Sequence, residues 1–314
     1  MRLISFVIPC YRSEHSISDV VNEIESVMTS HIEDNHEIIL INDCSPDNTI
    51  EVLKSIALSN DHVTAIDMAK NFGQHAALMA GIRQSKGDIV VCLDDDGQTP
   101  PAEVYKLIDK LNDFDVCYAS YEEKKHSLFR NIGSKVNDKM LEIMLDKPKA
   151  LYASSYFAMK RYIADEVVKY TNPYPYIMGL VLRATNSITS APVNHKDRIS
   201  GKSGYSISKL LSLWINGFTA FSVKPLRIAS LMGIICAVIG VIFSIWTIFN
   251  KLTNPLAPLG WTTLIIVLLI IGGMILFVLG LLGEYVGRMY ISMNNSPQYV
   301  IKGTVNGKTK QKIL

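Results

Sequence analysis

The stretch "VCLDDDGQTPP", residues 91–101, places three consecutive carboxylates directly after an apolar run. Adjacent carboxylates repel one another, so a cation is expected beside them. Asp94 and Asp96 offer oxygen ligands at alternate positions, which suits a hard divalent ion such as Mg²⁺ or Mn²⁺. Such an ion binds phosphate oxygens, so a diphosphate is the expected ligand. Alone, an Asp-x-Asp pair also fits a solvated acidic loop. The apolar strand before it, and Gln98 and two prolines after it, favour the metal site.

Strand-length apolar runs alternate with helical segments from residue 1 to about 120. The predicted strands are 3–9, 37–43, 63–69, 88–94 and 115–120, and the predicted helices are 16–28, 48–58, 74–87 and 100–111. Strands that are apolar throughout predict an α/β fold whose parallel sheet is covered on both faces. Ligands bind such sheets at the carboxyl ends of the strands. The polar segment 42–48 and the acidic segment 94–96 are therefore expected on the same edge.

The pattern changes after residue 121. Residues 122–145 predict an amphipathic helix with a basic start, and residues 195–206 form a basic, glycine-containing loop in the sequence. We expect residues 1–224 to form one domain with two halves, about 1–120 and about 121–224.

Two charge-free apolar stretches, about 228–249 and about 261–283, follow this domain. Each exceeds the roughly 20 residues that cross a bilayer as a helix. The short linker between them contains proline and glycine, so residues 225–290 predict a transmembrane hairpin and residues 291–314 a tail. The flanking positive charges are Lys224, Arg227, Arg288 and the lysines after 301, against Lys251 alone in the linker. The positive-inside rule places the domain and both termini in the cytoplasm, at the inner or plasma membrane. The alternative, two buried helices of a soluble protein, is disfavoured.

Composition excludes several classes of protein. The chain has 314 residues, of which 48% are hydrophobic and 19% charged, with a net charge of +2. Basic and aromatic residues are not interleaved as in a nucleic-acid groove, so no nucleic-acid partner is expected. The five cysteines are scattered without a C-x-x-C pair, which predicts reduced core residues in the cytosol. The first residues do not resemble a signal peptide.

Four motifs in order carry a family resemblance: "VIPCYRSE" (7–14), "INDCSPDNT" (41–49), "AKNFGQHAALMAG" (69–81) and "LDDDGQTPP" (93–101). They resemble family 2 glycosyltransferases of the polyprenyl-phosphate branch, which includes dolichyl-phosphate mannose synthases and bactoprenol glucosyltransferases. The segment 204–227 and the two spans after it are similar to the bactoprenol kind. The resemblance implies a glycosyltransferase A-type, Rossmann-like fold, in which residues 1–120 bind the donor and residues 121–224 the acceptor.

The resemblance also implies a donor site. Pro9 and Tyr11 would lie beside the nucleotide base, Asp43 would accept a hydrogen bond from it, and Asp94 would lie near the ribose and the metal. Asp96 and Gln98 would complete the Mg²⁺ or Mn²⁺ site. Further donor-site residues are Lys70, Asn71 and Gly73, which match the loop before the third helix. Two alternatives stay open: an Asx-type turn at Asp43, and a helix cap at the 70–73 loop.

Two departures from the family pattern affect the donor site. Arg12-Ser13-Glu14 replaces the usual Asn-Glu, which leaves open whether Glu14 contacts the nucleotide. Asp95 stands where the family usually has a small residue, and it would either face solvent or add to the field at the metal.

For the acceptor, the resemblance implies a phosphate site and a catalytic position. Arg130, Arg198 and Lys202, with Ser203 beside them, resemble the cations that bind the phosphate of a lipid. The alternative for Arg130 and Lys202 is contact with anionic lipid head groups. Ser155, in "SSYFAMKR", stands where the family often has aspartate. Serine is not a base at neutral pH.

We therefore expect an inverting transfer of a sugar, from a UDP-linked donor such as glucose or a related hexose, to undecaprenyl phosphate. The product would serve cell-envelope glycan modification. Two alternatives are a polysaccharide synthase of the same fold, although no Q-x-x-R-W motif is present, and a non-catalytic membrane-anchored protein that binds nucleotide sugars. Four glycines of the second span would allow close helix contact and so favour a homo-oligomer: Gly272, Gly273, Gly280 and Gly283.

Overall fold

The computed structural model describes residues 1–121, 142, 147–149, 151–152, 154–194, 224–253, 260–294, 296–307 and 309–313. The chain divides into two compact units. One contains Met1–Leu210 and Asn295–Leu314, and the other contains Leu211–Asn294.

The first unit is built on a nine-stranded sheet. In chain order its strands are β1 Leu3–Cys10, β2 Asn35–Asn42, β3 Val63–Met68, β4 Ile89–Cys92, β5 Val116–Tyr121, β6 Phe157–Lys160, β7 Ile188–Val193, β8 Ile301–Asn306 and β9 Thr309–Ile313. Their order across the sheet is β7-β5-β6-β4-β1-β2-β3-β8-β9. Strands β4, β1, β2 and β3 are parallel, as the sequence predicts. Strand β6 is antiparallel to both of its neighbours.

Helices cover this sheet. They are α1 Ile17–Ser30, α2 Thr49–Ser59, α3 Gln74–Gln84, α4 Val104–Ile108, α5 Arg161–Val167 and α6 Ile177–Ala184. Seven of the eight residues of β1 are buried, which explains its apolar sequence. Helix α3 lies close to the sheet at Gly81, where a Cβ atom would come within 2.4 Å of Val7 Cγ1 and 2.6 Å of Ile41 Cδ1.

The C-terminal segment is more than a tail. Strand β8 pairs antiparallel with β3, and β9 pairs with β8, so the sheet includes residues on both sides of the apolar helices in the sequence. Asn306 donates a side-chain hydrogen bond to Thr64 Oγ1 at 2.6 Å. The interpretation of 291–314 as a tail therefore needs correction: its residues 301–313 complete one end of the sheet.

The second unit contains two long helices, α7 Lys224–Thr253 and α8 Trp261–Met293. Both are long and apolar enough to cross a membrane, with candidate spans at Lys224–Phe243 and Ile270–Met293. Many of their large apolar side chains are exposed, among them Ile242 and Leu276. Helices whose described apolar side chains point outward in this way are typical of membrane spans. Both helices extend beyond the predicted spans, α8 by ten residues.

Candidate active site

The carboxyl ends of three parallel strands bring the predicted donor-site segments to one edge. Cys10, the last residue of β1, pairs with Asn42 of β2, and Val7 pairs with Cys92 of β4. Residues 11–14, 43–48 and 94–98 follow these strands directly, so they leave the sheet at the same edge. The predicted common edge is therefore present.

Asp94 is held by two neutral side chains. Gln74 Nε2 donates to Asp94 Oδ1 at 2.9 Å, and Ser155 Oγ donates to Asp94 Oδ2. Burial, together with the charges of Asp96 and Asp95, raises the pKa of Asp94 to about 6, although the hydrogen bonds from Ser155 and Gln74 act in the opposite direction. Its negative charge is therefore poorly stabilised by the protein alone.

The neighbouring carboxylates differ in their contacts. Asp95 Oδ2 accepts hydrogen bonds from Tyr11 N, at 3.0 Å, and from Ser13 Oγ. Burial raises the pKa of Asp95. Asp95 thus fixes the loop after β1, a role that its sequence position did not predict. Asp96 Oδ1 accepts from the backbone N–H of Gln98 at 3.0 Å.

The acidic segment fits a divalent cation. Gly97, with φ of +72°, lets the chain turn sharply between Asp96 and Gln98. A cation bound by Asp94, Asp96 and the Gln98 amide oxygen would offset the desolvation and the carboxylate repulsion that raise the pKa of Asp94. Oxygen ligands of this kind suit Mg²⁺ and Mn²⁺.

Asp43 supports the loop before α3. Its Oδ1 accepts from Phe72 N at 2.7 Å and its Oδ2 accepts from Gly73 N at 2.9 Å. Asp43 is only 4% exposed, and burial raises its pKa despite these two hydrogen bonds. The Asx-type turn considered for Asp43 is made by Asp47 instead, whose Oδ1 accepts from Thr49 N at 3.3 Å, and Asn42 Oδ1 accepts from Ser45 N at 3.1 Å.

The loop 70–73 and the first residue of α3 contact both Asp43 and Asp94. Gly73 has a φ of +89°, a conformation that favours glycine, and precedes the first turn of α3 without a side-chain capping hydrogen bond. The backbone N–H of Gly73 donates a hydrogen bond to Asp43, and the side chain of the next residue, Gln74, donates one to Asp94. Lys70 Nζ lies 4.8 Å from the centre of the Phe72 ring. Asn71 is exposed in the same loop.

The loop after β1 presents an aromatic ring. Pro9 is buried inside β1, whereas Tyr11 is 46% exposed, with the Arg12 guanidinium 5.6 Å from its ring centre. Glu14 Oε2 accepts from Asn48 N at 2.9 Å, just before α2. Glu14 therefore joins two segments of the same edge in this structure.

Ser155 lies beside the acidic segment, which brings the predicted catalytic position and the predicted metal site together. The remaining predicted acceptor residues, Arg130, Arg198, Lys202 and Ser203, lie outside the described residues, as do the predicted helix 122–145 (apart from residue 142) and the loop 195–206.

Sequence reasoning missed three residues here. Ser13 and Gln74 are the partners of Asp95 and Asp94 described above. His75 packs against Tyr176, with ring centres 5.1 Å apart, and desolvation of its imidazole lowers its pKa to about 4, so it is neutral at pH 7. Motif spacing gives no signal for such contacts. Only the position of Gln74 and His75, directly after the loop glycine, pointed to the site.

Two family models match the chain. Residues 5–168 match glycosyl transferase family 2, and residues 224–289 match the GtrB C-terminal hairpin. The undecaprenyl-phosphate 4-deoxy-4-formamido-L-arabinose transferase of Aeromonas hydrophila is 31% identical over 313 residues, which cover 98% of this chain and 96% of that protein. The uncharacterized glycosyltransferase YkcC of Bacillus subtilis is 29% identical over 309 residues, covering 98% and 95%.

Solved structures share the fold. Glucosyl-3-phosphoglycerate synthase from Mycobacterium tuberculosis, in complex with phosphoglyceric acid, matches with a TM-score of 0.53 and 16% identity, covering 70% of this chain and 80% of that chain. The same enzyme with Mn²⁺, UDP-glucose and phosphoglyceric acid matches with a TM-score of 0.50 and 16% identity, covering 68% and 76%. These matches confirm the predicted glycosyltransferase A-type α/β fold.

Proposed function

We propose that this chain, which belongs to glycosyl transferase family 2, transfers a sugar from a UDP-linked donor to undecaprenyl phosphate at the cytoplasmic leaflet, with inversion at the anomeric carbon. The observation that carries the proposal is the acidic segment at the carboxyl edge of the sheet, where the half-buried Asp94 has neutral partners and a raised pKa. A site of this kind suits a metal-bound diphosphate.

The donor would bind across the carboxyl edge. Asp94, Asp96 and Gln98 would hold Mg²⁺ or Mn²⁺, which when bound supplies Lewis-acid stabilisation of the leaving diphosphate. Tyr11, as an exposed ring at the same edge, offers a surface for the nucleotide base. Asp43 and Gly73 fix the loop that would line the donor pocket.

The acceptor phosphate would need orientation rather than deprotonation. A phosphate monoester has its second pKa near 6, by analogy with phosphorylated side chains, so most of it is a dianion at neutral pH. Ser155, which donates a hydrogen bond to Asp94, is compatible with this chemistry because no general base is required. Arg130 and Arg198 would bind the phosphate through their guanidinium groups, with Lys202 and Ser203 nearby in sequence.

Connectivity supports the membrane topology. Residues on both sides of the helical hairpin belong to one folded unit, so the chain must leave and re-enter that unit on one side of a membrane. Two crossings satisfy this requirement. The charge-free part of α8 ends at Gly283, and Glu284 and Arg288 follow with a 2.7 Å ion pair. Positive residues at this end and at the start of α7 favour the cytoplasm.

The experiment is a donor screen with the purified full-length chain. Undecaprenyl phosphate is incubated with Mg²⁺ or Mn²⁺ and one nucleotide sugar at a time, including UDP-glucose, UDP-galactose, UDP-N-acetylglucosamine and a nucleotide-activated 4-deoxy-4-formamido-L-arabinose. Mass spectrometry of the lipid should detect one sugar attached to the phosphate. A polysaccharide product would indicate a synthase, and UDP binding without any glycosylated lipid across the panel would contradict the proposal.

A further inference from the structure

A second group of potential metal ligands lies at the opposite edge of the sheet. Glu25 is on α1, His36 is at the start of β2, and His62 directly precedes β3. We call these three residues the amino-edge cluster. Because they lie at the amino ends of parallel strands, they are separate from the carboxyl-edge site described above.

The ligand atoms of the amino-edge cluster converge. His36 Nε2 lies 3.2 Å from Glu25 Oε1, and His62 Nδ1 lies 3.5 Å from the same oxygen. All three ligand atoms lie within 4.8 Å of one another. Zinc–nitrogen and zinc–oxygen bonds of about 2.1 Å at tetrahedral angles place ligand atoms roughly 3.4 Å apart. The two distances from the Glu25 oxygen to the histidine nitrogens are therefore close to those of a tetrahedral site.

His36 provides an independent indication. Its side chain is only 9% exposed, and its Nε2 faces Glu25 Oε1 at 3.2 Å without the geometry of a well-formed hydrogen bond. A buried nitrogen with a poorly formed hydrogen bond is unfavourable, and an ion bound between it and the carboxylate would remove that penalty.

The surroundings hold the carboxylate in place. Asn60 Nδ2 donates to Glu25 Oε1 at 2.6 Å, and Asn60 Oδ1 accepts from the backbone N–H of His62 at 2.9 Å. One residue thus orients two of the three ligands, as outer-shell partners do in metal sites. His62 is 48% exposed, which leaves room for water as a fourth ligand.

We propose that Glu25, His36 and His62 bind one Zn²⁺ ion, or a similar divalent transition metal, with water completing the coordination. Two imidazoles and a carboxylate suit zinc, whereas Mg²⁺ prefers oxygen ligands alone. The ion would link α1 to the amino ends of β2 and β3 and so stabilise the fold, without taking part in sugar transfer.

The test uses the full-length, tag-free chain in detergent, stripped with a chelator. Zn²⁺ is titrated by calorimetry in the presence of excess Mg²⁺, which occupies oxygen sites, and retained zinc is measured after dialysis. We expect one Zn²⁺ per chain and a higher melting temperature with Zn²⁺. His62→Ala should weaken binding by more than about 100-fold, because loss of a ligand exceeds the 10–100-fold loss typical of an outer-shell partner. Glu25→Gln should also weaken it while keeping an oxygen for Asn60.

His15→Ala is the matched control, because His15 is an exposed histidine 3.3 Å from a single carboxylate, Glu14. It should bind Zn²⁺ like the unaltered chain, as should Asp96→Asn. The proposal fails if the unaltered chain retains no more zinc than His62→Ala, which would leave the amino-edge cluster as a histidine–carboxylate contact. It also fails if His15→Ala or Asp96→Asn abolishes the binding.

Discussion

At the scale of single residues, the carboxylates of segment 94–96 have different tasks. Asp95 fixes the loop after β1, and Asp94 is held by Gln74 and Ser155. Asp96 is therefore the residue whose substitution tests the metal site most directly. Asp96→Asn should reduce transfer at least about 100-fold, which corresponds to roughly 3 kcal/mol on the barrier, because leaving-group stabilisation depends on the metal.

A radiolabelled transfer assay measures this effect. Asp113→Asn, at an exposed position away from the carboxyl edge, should behave like the unaltered chain. EDTA should abolish activity, and added Mn²⁺ should restore it. Full activity in EDTA would show that no metal is required.

Because the pKa of Asp94 is raised, metal binding at this site should depend on pH. Protons compete with metal for this carboxylate, so affinity for Mn²⁺ should fall as the pH decreases through about 6. The hydrogen bond from Ser155 lowers the pKa of Asp94, so Ser155→Ala should raise that pKa and move the midpoint of Mn²⁺ binding to higher pH. Near pH 8, Ser155→Ala should transfer sugar within about tenfold of the unaltered chain, since no base is lost.

Calorimetric titrations with Mn²⁺ between pH 5 and pH 8 test this shift. Ser154→Ala is the matched control, because Ser154 Oγ donates to the Tyr156 carbonyl and not to Asp94. An unchanged midpoint in Ser155→Ala would mean that the hydrogen bond does not tune the site.

At this scale the sequence predicted which side chains would lie in the same site, but not which hydrogen bonds they would make. Asp94, Asp96 and Ser155 were placed in one site by their motifs, and Asp94 and Ser155 are in contact. Gln74 and Ser13 were not predicted, since their partners are 20 and 82 residues away in the chain. Contacts of that kind depend on tertiary packing, which a local pattern does not encode.

At the scale of elements, the loop before α3 depends on Asp43. Asp43→Asn replaces one accepting oxygen with an N–H₂ group that faces a backbone N–H. We expect faster hydrogen exchange at Phe72 and Gly73 and weaker UDP binding, while amides of β1 keep their protection. Unchanged exchange with a complete loss of UDP binding would instead show that Asp43 acts on the base directly.

Helix α3 depends on a glycine for its close contact with the sheet. Gly81→Ala would place a Cβ atom 2.4 Å from Val7 Cγ1, so it should destabilise the fold by about 1–3 kcal/mol. Gly303→Ala in β8 meets no atom within 4 Å and serves as the control, with an effect within about 0.5 kcal/mol. Thermal unfolding in detergent measures both. If the two variants had equal melting temperatures, α3 would be able to move away from the sheet without a loss of stability.

Within the first 120 residues, strands that are apolar throughout were predicted well, whereas the polar strands near the C-terminus were not. The first four strands lie where their apolar runs predicted them. Strands β8 and β9 were missed because their sequence is rich in lysine and threonine. The dipeptide Asn306-Gly307, a hairpin signal, was present at their junction. An apolar run indicates a strand because the strand is buried. A polar hairpin at the edge of a sheet has no such run, so only its turn residues indicate that it is there.

At the scale of the whole molecule, the return of the chain to the sheet changes how the hairpin can be removed. A chain that ends before residue 224 would also lose β8 and β9, and with them the partner of β3. It would lose Tyr299 Oη, which accepts from Arg83 Nη1 at 3.0 Å, and Gln298, which donates to the Asn172 carbonyl at 2.9 Å. We expect such a truncation to be unstable or to aggregate through the exposed edge of β3.

Replacing residues 224–294 with a flexible Gly/Ser linker should instead keep the sheet complete. The resulting protein should bind UDP with Mn²⁺ about as tightly as the full chain, because all described donor-site residues remain. It should lose most transfer to undecaprenyl phosphate in membranes, yet keep more activity on a short, water-soluble polyprenyl phosphate, since the hairpin sets the depth of the lipid head group rather than the chemistry. Calorimetry and lipid mass spectrometry on both substrates measure this. Equal losses on short and long acceptors, with UDP binding intact, would show that the hairpin also forms part of the acceptor site.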